Sequence, residues 1–450
     1  KCIEDEIPFE VPEGWAWCKL NDIYNFIDYR GATPTKITNG IPLVTAKNVK
    51  SGYIDYTIDD YISEEEFKER QQRGISKKGD ILFTTEAPLG NAALADMEKF
   101  SAGQRLITFQ QYGSKNELIN YVMLMFILSD FFQQQLYVNK TGSTVAGIKA
   151  AILKTLWIPV PPYNEQLRIS NTLKSAINLI DSISKNKEIL STSISNTKSK
   201  ILDLAIRGKI VPQDPNDEPA SVLLERIRAE KEELIKQGKI KRDKKESVIF
   251  KGDDNSYYEK MPDGKLNCLN EQLTFELPEG WEWCNLLMIG TTNIGLTYRP
   301  ADIDTQGIMV LRSCNIVNEK INLTDLVRVK TSIRTNQFVQ KNDILICARN
   351  GSRTLVGKCA LIPELDEQAS FGAFMAIYRT PYFGYIIHFL RSNFFRSIFD
   401  DSNSTTINQL TQDMLKRAIV PLPPLAEQHR IVKKLNTLLT DLSYIEKELN

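Results

Sequence analysis

From Ile169 onward the apolar residues step by four and three positions in turn. They run Ile169, Leu173, Ala176, Ile180, Ile183, then Leu190, Ile194, Ile201 and Leu204, with only Lys187 and Thr197 interrupting. This is an a/d heptad stripe, the signature of a coiled-coil seam. At 1.5 Å per residue it predicts a helix roughly 55 Å long. The competing explanation is a long amphipathic helix on a globular domain. Against it stand the stripe's five or so heptads and its return at the end of the chain, as Ile431, Leu435, Leu438, Leu442, Ile445 and Leu449. Each stripe follows a proline cluster, Ile158-Pro159-Val160-Pro161-Pro162 or Val420-Pro421-Leu422-Pro423-Pro424, which ends the preceding element and starts the helix cleanly. Each then opens on the same residues, Glu165-Gln166 with Arg168-Ile169, and Glu427-Gln428 with Arg430-Ile431. The stripes predict antiparallel packing, with Ile169, Leu173, Ile180 and Ile183 against Ile431, Leu435, Leu438, Leu442 and Ile445. The second helix runs into Asn450 and is expected to lack its last turns.

The repeat extends beyond the helices. Phe9 to Cys18, with Pro12, Gly14, Trp15 and Trp17, returns as Phe275 to Cys284 with Pro278, Gly280, Trp281 and Trp283, and Cys2 matches Cys268. Gly31 and Thr33 match Gly295 and Thr297; Gly40 to Val49 matches Gly307 to Ile316; Asp80-Ile81-Leu82 matches Asp343-Ile344-Leu345; Phe131-Phe132 matches Phe394-Phe395. The offset stays near about 265 residues throughout. Such colinearity identifies two copies of one unit, a globular domain followed by a coiled-coil helix. The expected division is a first domain at 1–160, a central helix at 161–208, a linker with a short charged helix at 209–274, a second domain at 275–422 and a second helix at 423–450.

Within each copy, short β-rich runs (41–49, 80–84, 106–110) and an apolar helix-length segment (117–137, with counterpart 382–399) predict a mixed α and β domain. The Trp pairs read as core. In the linker, 220–238 predicts a charged helix with Leu223, Leu224, Ile227 and Leu234 on one side, and 252–267 reads as irregular. The basic run 239–245 is either a solvated charge cluster or a phosphate contact.

Composition sets outer bounds. A chain of 450 residues, 42% hydrophobic and 25% charged, is ordinary globular composition with room for roughly two to four domains. No apolar run approaches the ~20 residues of a membrane span. Seven cysteines without a C-x-x-C pair suggest reduced thiols and a cytoplasmic protein. The chain opens on Lys1, so the numbering is expected to begin inside a longer one. Zero formal net charge excludes a generally basic protein but leaves room for a local basic groove.

Catalytic chemistry is poorly supplied. Gly351 to Cys359 has one residue too many between its glycines for a P-loop, and Cys359 stands where Ser or Thr would hold magnesium. Pro161-Pro162-Tyr163 is like the Pro-Pro-Tyr of DNA amino-methyltransferases, but Val160 replaces the polar residue before it and no G-x-G turn accompanies it. Only His388 and His429 are available for imidazole chemistry.

The Pro-x-Gly-Trp-x-Trp openings, the Asp-Ile-Leu strands, the Pro-x-Pro-Pro-x-x-Glu-Gln-x-x-Ile entries into heptad helices and the Asp217 to Glu233 segment together resemble the specificity subunit of Type I restriction–modification systems. The resemblance covers nearly the whole chain. It implies an α+β architecture: two tandem target-recognition domains separated by two long antiparallel coiled-coil helices. It also implies a non-catalytic reader of double-stranded DNA. Two methyltransferase subunits and restriction translocase–nuclease subunits would be its partners, and these would carry S-adenosylmethionine, ATP and magnesium. The target would be two short sequences with a fixed gap, as spaced half-sites require.

Comparing the copies separates scaffold from reader, because polar residues that differ at one loop can read different bases. The candidate contact set is Thr45, Lys47, Asn48, Thr84, Thr85 and Glu86 in the first copy. In the second it is Arg312, Ser313, Asn315, Arg349, Asn350, Ser352 and Arg353. Asn350-Gly351 predicts a tight hairpin tip carrying Arg349 and Arg353, and Arg is the commonest bidentate reader of guanine. The plain alternative is solvated loop residues. At the level of the chain, the alternatives are a coiled-coil interaction scaffold and, last, an autonomous methyltransferase or nuclease. Selective binding of duplex DNA separates the first from the second.

Overall fold

The computed structural model describes residues 7–30, 33–57, 60–112, 118–142, 146–243, 245–400 and 409–449. In it, the two motifs that bracket each repeat are hydrogen-bonded to one another. Ala16–Lys19 pairs antiparallel with Trp157–Val160, placing Trp17 opposite Pro159. Glu282–Asn285 pairs with Ile419–Leu422, placing Trp283 opposite Pro421. The chain therefore leaves each domain beside the point where it entered, and passes straight into the heptad helix. Gln166 and Gln428 secure that exit. Both are buried, and each donates its amide to the carbonyl five residues earlier, Pro161 or Pro423, at 2.9 Å. The Gln of each repeat is thus a lock on the helix start. Cys2 and Gly31 of the repeat lie outside the described residues.

The chain divides into two compact units, Lys1–Ser184 and Lys185–Asn450, with the division inside the long helix rather than at its end. In the first unit an antiparallel sheet runs in the order Tyr24–Asp28, Leu106–Gln111, Ile81–Thr84, Ala92–Leu94. A smaller mixed sheet joins Tyr61–Ile62, Ile41–Val44 and Ser101–Ala102. Ile81 and Phe83 face a core with Val122, Met123 and Ile127, while Leu82 faces a second core with Val44, Phe100 and Ala102. Covering both faces explains why this strand is apolar at consecutive positions and not at alternate ones. The apolar segment after the sheet is two helices, α1 (Asn120–Leu128) and α2 (Asp130–Val138), where the sequence suggested one. Ser129 divides them: its hydroxyl donates to Phe126 O at 2.6 Å and accepts from Phe132 N at 3.5 Å. A serine that caps one helix and opens the next turns the chain without breaking the apolar pattern. The long helix α3 (Tyr163–Ile206) begins in this unit, and Ile169 packs on its core.

The second unit repeats the same sheet orders, as Thr291–Ile294, Met375–Arg379, Ile344–Cys347, Cys359–Leu361 and as Val327–Val329, Ile303–Leu311, Ala369–Phe371. Before it comes α4 (Ala220–Lys236), with Leu223 and Leu224 buried and Gly238, at φ +67°, reversing the chain after its last turn. Residues 252–267 are not irregular: they lie within a three-stranded meander, Val248–Lys251, Tyr257–Lys260 and Leu266–Cys268. Its turns use Asn255 at φ +63° and Gly264 at φ +86°. Two cations of the basic run pair with acids of their own unit, Arg242 with Glu232 at 2.5 Å and Lys245 with Asp413, and Asp243 within the run holds Lys416 at 2.8 Å. Helices α5 (Phe383–Arg391) and α6 (Asn393–Asp400) divide at Ser392 as α1 and α2 divide at Ser129.

The last helix, α7 (Leu425–Glu448), corrects the predicted seam. Ile431 and Leu435 are fully buried, in one core with Leu202, Ala205 and Ile206 of α3. Lys198 reaches Glu446 at 2.5 Å, so the two segments run antiparallel. Leu438 and Leu442 are half-buried and Ile445 is exposed. Ile180 and Ile183, expected beneath α7, are 60% and 58% exposed, and Leu173 is half-buried in the first unit. A heptad stripe defines a face, but any shift by whole heptads keeps that face. The register is therefore set by the domain core that receives Ile431 and Leu435.

Candidate nucleic-acid interface

Each unit carries a cleft at the same place on the same frame. Gly103 N donates to Val44 O at 2.7 Å and Gly372 N to Leu311 O at 2.9 Å; Thr85 N donates to Arg105 O at 3.0 Å and Ala348 N to Phe374 O at 2.9 Å. These bonds equate 45–47 with 312–314, Glu86 with Arg349, and 103–105 with 372–374. The first cleft, about 250 Å³, is lined by Thr33, Lys36, Thr45, Lys47, Gln104 and Arg105 among others. The second, about 980 Å³, is lined by Tyr298, Arg312, Ser313, Arg349, Asn350 and Phe374 among others. Gly295 belongs to this frame because a Cβ there would sit 2.1 Å from Gly372 O.

Four residues of the candidate set are scaffold. Asn48 is buried; its Oδ1 accepts from Thr45 N at 2.9 Å and its Nδ2 donates to Asp55 O at 2.8 Å. Asn315 does the same work, accepting from Arg312 N at 2.8 Å and donating to Asn322 O and Asp325 O at 3.0 and 2.8 Å. Thr84 is buried with its hydroxyl accepting from Asn91 N at 2.9 Å, and buried Thr85 donates to Arg105 O at 3.2 Å. Buried and hydrogen-bonded inside the fold, these four hold the loops around the cleft.

The others sit where a ligand can reach them. Lys47 is exposed and Thr45 half-buried beside it. Arg312 has one outer nitrogen on Asp325 at 3.0 Å, while its Nε is buried without a hydrogen bond among the described residues. Asn350 spans the cleft weakly, its Nδ2 3.5 Å from Ser313 Oγ, and its Oδ1 accepts from Ser352 N at 2.9 Å. Arg349 lies over the exposed Phe374 ring, 5.6 Å from its centre. Arg353 is exposed at the start of a 3₁₀ turn, Arg353–Leu355. The loop carrying it runs from 348 to 358 and is not a tight hairpin tip. The tight turn of this region is at Asn318 and Glu319, φ +48° and +62°, where the sequence carries no glycine.

Sequence comparison missed Gln104, Arg105 and Lys36 in the first cleft and Tyr298 and Phe374 in the second. For three of them, Gln104, Arg105 and Phe374, the signal was present, since Gly103-Gln104-Arg105 and Gly372-Ala373-Phe374 differ beside shared Ser101 and Ser370. Chemically, the clefts offer guanidinium, ammonium, amide and hydroxyl groups with an exposed aromatic ring. Those groups suit base edges and phosphates. Among the described residues no group of three or more His, Cys, Asp or Glu could hold a metal ion, and no helix is long and apolar enough to cross a membrane.

A family model described as the Type I restriction modification DNA specificity domain matches residues 12–191 and 297–450. The specificity subunit of the Type I restriction enzyme EcoAI from Escherichia coli is 27% identical, over 99% of this chain and 81% of that protein. The EcoKI specificity subunit of Escherichia coli K12 is 34% identical over 37% of this chain and 38% of its own. Among solved structures, the HsdS subunit from Thermoanaerobacter tengcongensis aligns with a TM-score of 0.55 at 15% identity, covering 99% of this chain and 94% of that one. A chain from a structure of type I R-M complex assembly aligns at 0.61 with 16% identity, covering 98% and 94%. At that identity, both establish the fold.

Proposed function

The chain belongs to the Type I restriction modification DNA specificity domain family. On that premise we propose that it is the DNA sequence-specificity subunit of a Type I restriction–modification complex, each cleft reading one half of a bipartite duplex target. One observation carries the reading: two clefts stand on matched frames, with Asn48 and Asn315 holding the same loop, yet their linings differ in donor and acceptor character. Identical frames with different linings are what two different half-sites require.

In this reading the chain performs no chemistry. Methyltransferase subunits transfer the methyl group, and translocase–nuclease subunits hydrolyse ATP and cut, in the cytoplasm. The exposed apolar residues of α3, among them Ile180, Ile183, Ile189 and Leu190, support a docking role for that helix. Selection of randomised duplexes by the purified full chain tests the proposal. The expected outcome is enrichment of two short conserved blocks with an unspecified gap. Enrichment of a single block, or none, would contradict it.

A further inference from the structure

Beside the second cleft lies a recess of about 470 Å³ lined by Lys358, Arg391, Arg396, Glu319, Cys314 and Cys359 among others. Its counterpart in the first unit follows from hydrogen bonds that both copies make. Thr84 N and Cys347 N donate to the carbonyls of Asn91 and Lys358, both at 2.8 Å. Ser129 Oγ and Ser392 Oγ donate to Phe126 O and Phe389 O, both at 2.6 Å. Asp55 N and Asn322 N donate to Asn48 O and Asn315 O at 2.7 and 2.8 Å. Lys358 therefore stands where the first unit has Asn91, Arg391 where it has Leu128, Arg396 where it has Gln133, and Glu319 where it has Gly52. A neutral place in one copy holds three cations and a carboxylate in the other.

Among the described residues the carboxylate pairs with one cation. Glu319 Oε2 lies 3.0 Å from Arg391 Nη1, and Glu319 O accepts from Arg391 Nη2 at 2.8 Å. Lys358 and Arg396 have no ion-pair partner among the described residues. Like charges around a recess repel one another and create a local potential that favours an anion. Cys314 lines both this recess and the reading cleft, so an anion here would border whatever occupies that cleft. We propose that the recess holds a phosphodiester group of the duplex beside the second half-site, through Lys358 and Arg396, with Arg391 held in place by Glu319. This rests on the chain binding DNA. It adds a sequence-independent grip that the first unit lacks.

The test uses the full chain with Lys358→Asn and Arg396→Gln, the residues of the first unit, which leaves the Arg391–Glu319 pair intact. Binding of cognate and unrelated duplexes is followed by anisotropy across a salt series. The slope of log affinity against log salt should become shallower by about two on both duplexes, with their ratio unchanged. An unchanged slope overturns the proposal. A shallower slope in a chain whose wild type shows no sequence preference would keep the phosphate recess and overturn DNA reading instead. Calorimetry with inorganic phosphate separates the sources. Binding by the wild type that the double variant loses, without a change in salt slope, would assign the recess to free phosphate and overturn the backbone contact.

Discussion

Arg105 Nε lies 3.0 Å from Glu86 Oε1 at the mouth of the first cleft. At the same two positions of the second cleft, Phe374 replaces the arginine and Arg349 replaces the glutamate, and the pair is held by a cation–π contact 5.6 Å long. Both pairings bring together the end of the Asp-Ile-Leu strand and the loop after the small parallel strand. The frame keeps the two positions in contact and leaves their chemistry free to change. Glu86 and Arg105 are both well exposed, so their pairing contributes only about 0–1 kcal/mol to folding. Evolution can exchange such a pair at little cost in stability while reversing what the cleft offers a base.

Arg349→Ala should accordingly weaken binding to the second half-site by about 1–3 kcal/mol and relax preference at one base pair there. Glu86→Gln should alter preference only in the first half-site and leave the unfolding midpoint nearly unmoved. Duplexes mutated in one half-site at a time, measured against both variants, check this. A loss shared equally by all sequences would identify a phosphate contact and not a base contact.

Much of this arrangement is legible in the amino-acid sequence, because the repeat supplies an internal comparison. Asn48 and Asn315 are identical in the two copies, and an identical residue at matched positions belongs to the frame; their burial agrees. Whether a polar side chain such as Thr85 spends its hydroxyl on the Arg105 carbonyl or on a ligand depends on a neighbour distant in sequence, which no local pattern records. The tight turn at Asn318 and Glu319 was invisible for a related reason. Neither residue is the glycine that positive φ usually selects, and the hairpin is held by the contact of Glu319 with Arg391.

The same comparison predicts unequal electrostatics in the two cores. Asp343 is buried and takes a two-pronged bond from Arg379, Nε to Oδ1 and Nη2 to Oδ2, both at 2.7 Å. The first copy has Asp80 against Gln110, whose amide donates at 3.0 Å, and burial lifts the Asp80 carboxyl above its usual range. Arg379→Ala should destabilise the second unit by on the order of 3 kcal/mol, because it strands a buried charge. Arg379→Gln should cost less, since the first copy folds with that residue type. Urea denaturation of the two variants measures the difference; equal losses would show that a neutral amide cannot stand in for the guanidinium beside Asp343.

His388 makes stability of the second unit depend on pH. Burial, with Arg391 nearby adding to it, pulls its imidazole down to about 4, and its Nδ1 has no hydrogen-bond partner among the described residues. The unfolded chain binds this proton with an ordinary affinity near 6.5, so between about 6.5 and 4 the unfolded state carries more protons. The stability due to neutral His388 is complete above that window and falls as pH drops through it, by at most about 1.4 kcal/mol per pH unit. His388→Phe should flatten denaturation midpoints between pH 7.5 and 5 relative to wild type. A variant with the wild-type slope would assign the dependence to other groups.

Leu435 and Ile180 test the seam itself. Leu435 is fully buried among Leu202, Ala205 and Ile206, so Leu435→Asp places a charge in a core with no partner for it. That should cost on the order of 4 kcal/mol or more and lower the melting temperature sharply. Ile180 lies in the same heptad series but is 60% exposed, and Ile180→Asp should change stability by no more than about 0.5 kcal/mol. Were α7 to pack on Ile180 and Ile183, as sequence periodicity alone allows, both substitutions would be comparably damaging. The two melts therefore measure the register directly. A second readout separates folding from docking: if α3 holds partner subunits through its exposed stripe, Ile180→Asp should release a methyltransferase subunit while the chain remains folded.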